Sequence, residues 1–279
     1  MGAIKHKGVN KMAVVLGIDV GGSTTKIVAY DQKIIGMLQV RAGDQITSLY
    51  GAIGNLLQTY HLKLNDVEKM VLTGVGASLI EEDIYGIPTV KVAEFEAVGK
   101  GALLLSGLDR ALVVSMGTGT AYVDASKEKI EHIGGSGVGG GTLVGLSSKL
   151  LGVTDIDAII ALAAKGNLAN VDLTIGDISA GQIPNLPRDI TAANFGKVKS
   201  TATKEDFALG LMNMIYQTAG VLAGFCATGR GIKTVLFTGS VADLPQAKEL
   251  LPPVSALYDL DFVIPPEATF ATAIGAAIL

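Results

Sequence analysis

The stretch "VLGIDVGGSTTKIVAYD", Val15 to Asp31, is two β-prone runs joined by a glycine turn with no helix between them. The apolar run Val14 to Val20 carries one acid, Asp19, and turns at Gly21-Gly22. Just past Lys26 the chain re-enters a β-prone stretch, Ile27 to Tyr30. Such turns let backbone N–H groups approach a phosphate with no Cβ in the way. Two common phosphate loops are excluded. A P-loop requires glycine before its lysine, which Lys26 lacks. A Rossmann turn opens directly into a helix, whereas Ser23-Thr24-Thr25 leads into β-branched Ile27-Val28. The remaining mode is a hairpin wrapping a triphosphate from one side, with Gly21, Gly22, Ser23 and Thr24 along it. Asp19 could hold Mg²⁺ directly or through water while phosphates supply further oxygens. Its other reading is a hydrogen bond to the turn backbone. Lys26 would neutralise phosphoryl charge.

The motif has an echo in "ALVVSMGTGTAYVDASKEKIEHIGG", Ala111 to Gly135. Laying Gly21 on Gly117 places Asp19 over Ser115 and makes Gly117, Thr118 and Gly119 the second phosphate turn. Helical patterning follows each copy, Thr47 to Tyr60 and Gly140 to Leu151. Each half then offers another β run ending at glycine, "KMVLTGVG" (69–76) and "TVLFTGSV" (234–241). The expectation is an α/β chain with a duplicated architecture. Two mixed-sheet domains, 12–110 and 111–279, would hold a nucleotide in a cleft between them, with 1–11 a disordered leader before a natural start at Met12. In the dense glycine run Gly134 to Gly152, Gly139-Gly140-Gly141 leads into a helix. Its free N–H groups would face a bound anion. The closing "ATFATAIGAAIL" reads as a small-residue helix suited to packing against another backbone.

Composition agrees with an enzyme core. The chain has 279 residues, 36 of them glycine, and is 49% hydrophobic, which suits a tightly wound α/β protein. A net charge of −4 with no like-charge block suggests neither nucleic acid nor anionic membrane as partner. Cys226 is the only cysteine, so a disulfide framework is excluded and a reducing cytoplasm fits. Phe207 to Gly229 is free of charge, but Asn213, Gln217, Thr218 and four glycines interrupt it. It reads as a buried helix between domains or subunits, and the protein as a soluble one.

"DVGGSTTK", "MGTGT", the glycine run and "FTGS" resemble the phosphate and adenosine motifs of the actin, heat-shock chaperone and sugar kinase superfamily, which has a duplicated ribonuclease-H-like (actin-like ATPase) fold. More specifically, "VAEFEAVGKG", "AAKGNLANVDLTIGDI" and "DITAANFGKV" resemble type II pantothenate kinases of the bacterial kind. The matches run in order from Val15 to the C-terminus. The resemblance implies ATP-dependent phosphorylation of pantothenate to 4'-phosphopantothenate, the first step of coenzyme A biosynthesis, with Mg²⁺, by a cytoplasmic homodimer. It makes Glu94 the catalytic base, with Glu96 as runner-up. It places Thr118, Gly140, Gly141, Thr142, Leu143, Val144 and Ser240 on the nucleotide. The 189–196 segment with Asn194, together with Ser115 and His132, falls at the substrate end.

The sequence departs from the family at two places. His132, beside Glu131, stands where the family carries an arginine for the pantothenate carboxylate, and Ile156 replaces an aromatic residue expected near the adenine. Three alternatives accompany the reading. One is a kinase of a related alcohol such as pantetheine. Another is an ATPase activator of the 2-hydroxyacyl-CoA dehydratase type, which shares the opening motif but needs cysteines for a bridging iron–sulfur cluster. The third is a nucleotide-binding protein without catalysis, against which Asp19, Lys26 and Glu94 argue.

Overall fold

The structure, a computed structural model, describes residues 13–184 and 186–279. The expectations for the leader 1–11 and for Met12 fall outside the described residues. By contacts the chain forms two units: residues up to Ala97 together with Thr272–Leu279, and Val98–Ala271.

The first unit begins with an antiparallel meander of β1 (Val14–Val20), β2 (Thr24–Asp31) and β3 (Lys33–Arg41). Then comes α1 (Gln45–Thr59), started by Asp44, whose carboxylate accepts from the Thr47 N–H at 2.7 Å. β4 (Val67–Thr73) and β5 (Thr89–Lys91) join parallel to β1, giving the order β3-β2-β1-β4-β5. Strand alternation sorts the side chains. Leu16, Ile18, Val20, Ile27 and Ala29 enter one core with Leu49, Ile53 and Leu56 of α1. Asp19 and Lys26 therefore point to the other face of the sheet. From β5 the chain enters α2 (Glu94–Ser106), within which the unit boundary falls.

The second unit repeats the plan. β6 (Arg110–Met116), β7 (Thr120–Ser126) and β8 (Ile130–Ser136) form the meander, and α3 (Gly140–Leu151) follows. After α4 (Ile156–Ala163) comes a small excursion of β9 (Leu173–Thr174), α5 (Ile175–Ile178) and β10 (Thr191–Ala193). Next is the 27-residue α6 (Lys204–Arg230), then β11 (Thr234–Thr238), α7 (Ala247–Tyr258) and β12 (Asp261–Val263). The sheet order β12-β11-β6-β7-β8 copies that of the first unit strand for strand. Registers agree as well: Asp19 stands opposite Lys26 and Thr73, and Ser115 opposite Ala121 and Thr238. The overlay of Asp19 on Ser115 is thus a structural equivalence.

Charge-free Phe207 to Gly229 lies inside α6. Thr203 and Asp206 close its N-terminus reciprocally, and Gly231 ends it at φ +64°. By length and composition α6 could cross a membrane, yet over half of its most apolar window is buried within the protein. Leu211, Ile215, Tyr216 and Ala219 pack with Leu112, Val114 and Phe237 of the second sheet.

The last helix, α8 (Ala271–Ala277), returns to the first unit. Its backbone lies on β1 at Gly17, where an ideal Cβ would overlap the Ala273 carbonyl and stand 2.5 Å from the Ala277 nitrogen. A glycine inside a strand here marks a close backbone approach. The contact-defined units therefore differ in two respects from the expected division at 110/111. The boundary falls at Ala97/Val98 inside α2, so that Gly99, whose ideal Cβ would meet Ile130 at 2.8 Å, already belongs to the second unit. The C-terminal turns also belong with β1.

Candidate active site

In the first hairpin the Gly21 N–H donates to Thr24 O at 3.0 Å and Ala42 N–H to Ser23 O at 3.0 Å. Gln45 holds the tip from α1, donating from Nε2 to Gly21 O at 3.3 Å. An added Cβ on Gly21 would strike Thr24 O at 2.8 Å, while Gly22 has open space around it. Gly21 serves the turn, and Gly22 leaves room for a ligand.

Asp19 and Lys26 face each other across β1 and β2, Oδ2 to Nζ 3.8 Å, with 9% and 7% of their surfaces exposed. Burial raises the Asp19 pKa, and the Lys26 charge offsets only part of that rise. An incompletely compensated buried carboxylate suits a divalent cation, which would supply the missing positive charge. No cluster of three or more potential metal-ligating side chains occurs among the described residues.

Glu94 opens α2, and β4 fixes its approach. Val92 donates its N–H to Leu72 O at 2.9 Å and accepts from Thr73 Oγ1 at 3.1 Å. Thr73 is also the β4 partner of Asp19. This clamp brings Glu94 within electrostatic reach of the Asp19–Lys26 pair on the hairpin. The Glu94 side chain opens to solvent, yet the surrounding protein displaces enough water to raise its pKa. The Asp19 charge adds to the rise and Lys26 opposes it. Glu96, two residues on, faces away from Glu94 around the helix. The structure thus separates the two candidates by position.

The second hairpin turns one residue more tightly, its Gly117 N–H donating to Gly119 O at 2.9 Å, and Gly117 has open space around it. The glycine run behaves differently from expectation. Gly134 and Gly135 lie within β8. The N–H groups of Gly140 and Gly141, expected to be free, donate to Gly117 O at 2.8 Å and Thr118 O at 2.9 Å. An added Cβ on Gly139 would lie 2.8 Å from the Gly119 backbone. These glycines let α3 begin against the hairpin, so they shape the loop before any ligand arrives. Thr142 supports the same turn, its Oγ1 donating to Gly137 O at 2.9 Å. Leu143 is 1% exposed and packs in the core, and its N–H donates to Gly139. Its side chain is thus turned away from the hairpin loop and into the core. Val144 is half-buried and Thr118 exposed. Ser240 follows Gly239, which stands at φ +90°.

His132 is exposed on β8. Glu131, its neighbour in sequence, lies on the opposite face of the strand. Its carboxylate accepts from Lys129 at 2.6 Å and from Arg230 at 3.2 Å. Asn194 donates towards Asp172 and Gln217 at 3.5 and 3.4 Å. Asp172, 1% exposed, also accepts from the Phe195 N–H at 2.8 Å and Asn213 Nδ2 at 2.7 Å. The 189–196 segment is therefore held from within by a buried acid. Sequence reading passed over Asp172, Thr73 and Gln45, because their partners lie at least 19 positions away.

A family model described as Fumble matches residues 110–251, just over half of the chain. The chain belongs to the Fumble family. A second model, described as the BadF/BadG/BcrA/BcrD ATPase family, matches residues 16–153. Among relatives of this Fumble chain, a type II pantothenate kinase from Bacillus cereus is 26% identical, covering 81% of this chain and 83% of that one. The type II pantothenate kinase of Staphylococcus haemolyticus is 29% identical, covering 95% and 99%. In fold, the chain is similar to the activator of 2-hydroxyisocaproyl-CoA dehydratase from Clostridium difficile with bound ADPNP. The TM-score is 0.66 at 14% identity, covering 95% and 93%. That likeness is one of fold, in keeping with the duplicated α/β sheets.

Proposed function

We propose that this chain transfers the γ-phosphoryl group of ATP to pantothenate, as the first step of coenzyme A biosynthesis. The observation that carries the reading is the placement of Glu94 beside Asp19 and Lys26, in a chain similar over nearly its whole length to type II pantothenate kinases. The acceptor hydroxyl oxygen attacks the γ-phosphorus while Glu94 takes its proton, the bond from that phosphorus to the β,γ-bridging oxygen breaks, and ADP leaves. Lys26 would face phosphoryl charge, and the open turn at Gly22 leaves room for phosphate. Asp19 would hold Mg²⁺, which neutralises charge on the phosphates when bound. Ser240 and Thr118 are the proposed nucleotide contacts, and Ser115, His132 and Asn194 the proposed substrate contacts. We take the working form to be a cytoplasmic homodimer with neither a nucleic-acid nor a membrane partner. The dehydratase-activator reading has a shared fold behind it and a single cysteine against it. Measuring ATP consumption with pantothenate, pantetheine and common sugars tests the assignment. Turnover on a sugar with none on pantothenate would overturn it.

Two consequences are specific. A base works only when deprotonated, so a raised Glu94 pKa moves the acid limb of kcat/KM for pantothenate above the ordinary glutamate range. A pH–rate profile at saturating ATP checks this; a limb inside the ordinary range refutes it. His132→Arg should lower KM for pantothenate and leave KM for ATP within a few-fold, because arginine grips a carboxylate with permanent charge and two parallel donors. Unchanged pantothenate kinetics would mean that another group holds the carboxylate.

A further inference from the structure

Gly74 follows β4 with φ +86° and ψ 167°, a region that glycine alone enters without strain. An ideal Cβ there would lie 2.6 Å from Oδ1 of Asp19 and 2.7 Å from Val20 O. Its counterpart in the second unit, Gly239, has φ +90° and would place a Cβ 2.5 Å from Met116 O. The backbone approach is thus common to both copies of the fold. Contact with a carboxylate occurs only in the copy that carries the acid, since Ser115 occupies the place of Asp19 in the other.

We propose that Gly74 is a positioning residue for phosphoryl transfer: its missing Cβ leaves the one seat in which the Asp19 carboxylate can rest with Oδ1 against β4. Lys26 sits on the other oxygen, Oδ2, at 3.8 Å. Between them they determine which way the carboxylate faces. Any larger residue at 74 turns the carboxylate away while leaving Asp19 chemically intact. The inference rests on the reading of Asp19 as a Mg²⁺ ligand.

The experiment is a Mg²⁺ titration of binding of a non-hydrolysable ATP analogue, followed by calorimetry in the native chain, Asp19→Asn and Gly74→Ala. Gly74→Ala should weaken the metal-dependent part of binding roughly tenfold, the scale of losing a group that orients a metal ligand. Metal-free nucleotide binding should stay within a few-fold. If Asp19→Asn leaves the metal dependence intact, the reading of Asp19 fails and takes this inference with it. If Asp19→Asn weakens it and Gly74→Ala does not, the inference alone is overturned. Chemical denaturation of Gly74→Ala, Asp19→Ala and the double variant, without metal or nucleotide, guards against a folding defect. A smaller loss from Gly74→Ala in the Asp19→Ala background, or a fold regained only in the double variant, supports the seat. Equal loss in both backgrounds, or failure of both Gly74→Ala chains to fold, restricts Gly74 to the backbone and overturns it.

Discussion

Glu94→Gln should lower kcat for phosphoryl transfer by about three orders of magnitude, within the range general-base catalysis contributes. ATP affinity should change by no more than a few-fold. The amide has the shape of the carboxylate and keeps the start of α2 intact, but it cannot take the proton of the attacking hydroxyl. The assignment rests on position: Glu94 shares the field of Asp19 and Lys26, whereas Glu96 projects from another side of the helix. Steady-state turnover together with calorimetry of nucleotide binding separates chemistry from binding. Retained turnover in Glu94→Gln, or a larger loss in Glu96→Gln, would move the base elsewhere.

Asp19→Asn should weaken Mg²⁺-dependent nucleotide binding by about 10- to 100-fold and reduce turnover with it. A neutral amide is a poorer partner for a hard cation than a carboxylate. The substitution also removes one cause of the raised Glu94 pKa, because the Asp19 charge disfavours ionisation of its neighbour. The acid limb of the remaining activity should therefore shift to lower pH. Nucleotide titrations over a range of Mg²⁺, paired with pH–rate profiles, read both effects. Identical metal curves for the two proteins would return Asp19 to a structural role, as the counter-charge of buried Lys26.

A single cysteine, a modest net charge and an interrupted apolar stretch are enough to bound the class of protein. The resemblance to type II pantothenate kinases is matched by relatives of that name at 26% and 29% identity.

The sequence alone determined the local features of this chain. Glycine turns between apolar runs mark both meanders, because a strand followed by glycine and another β-branched run has few other ways to fold. α3 was expected over Gly140 to Leu151 and occupies those residues. α1 lies within two residues of its expected bounds. The small residues of α8 announced a close approach, though not that the approach would be to Gly17. Only the tertiary structure decided where backbone donors and side chains go. The N–H groups of Gly140 and Gly141 looked available to a ligand, but the Gly117 and Thr118 carbonyls, more than 20 positions earlier, take them. Leu143 turns its side chain into the core, and Glu131 accepts from Arg230, 99 positions away, as well as from nearby Lys129. Gly74 reads in sequence as the end of a strand, whereas in the fold Asp19 lies against it. Hydrophobic period and turn chemistry act over a few residues, so sequence shows them directly. Hydrogen-bond partners and steric seats join segments that meet only when the sheet closes its register, and no local pattern encodes that meeting.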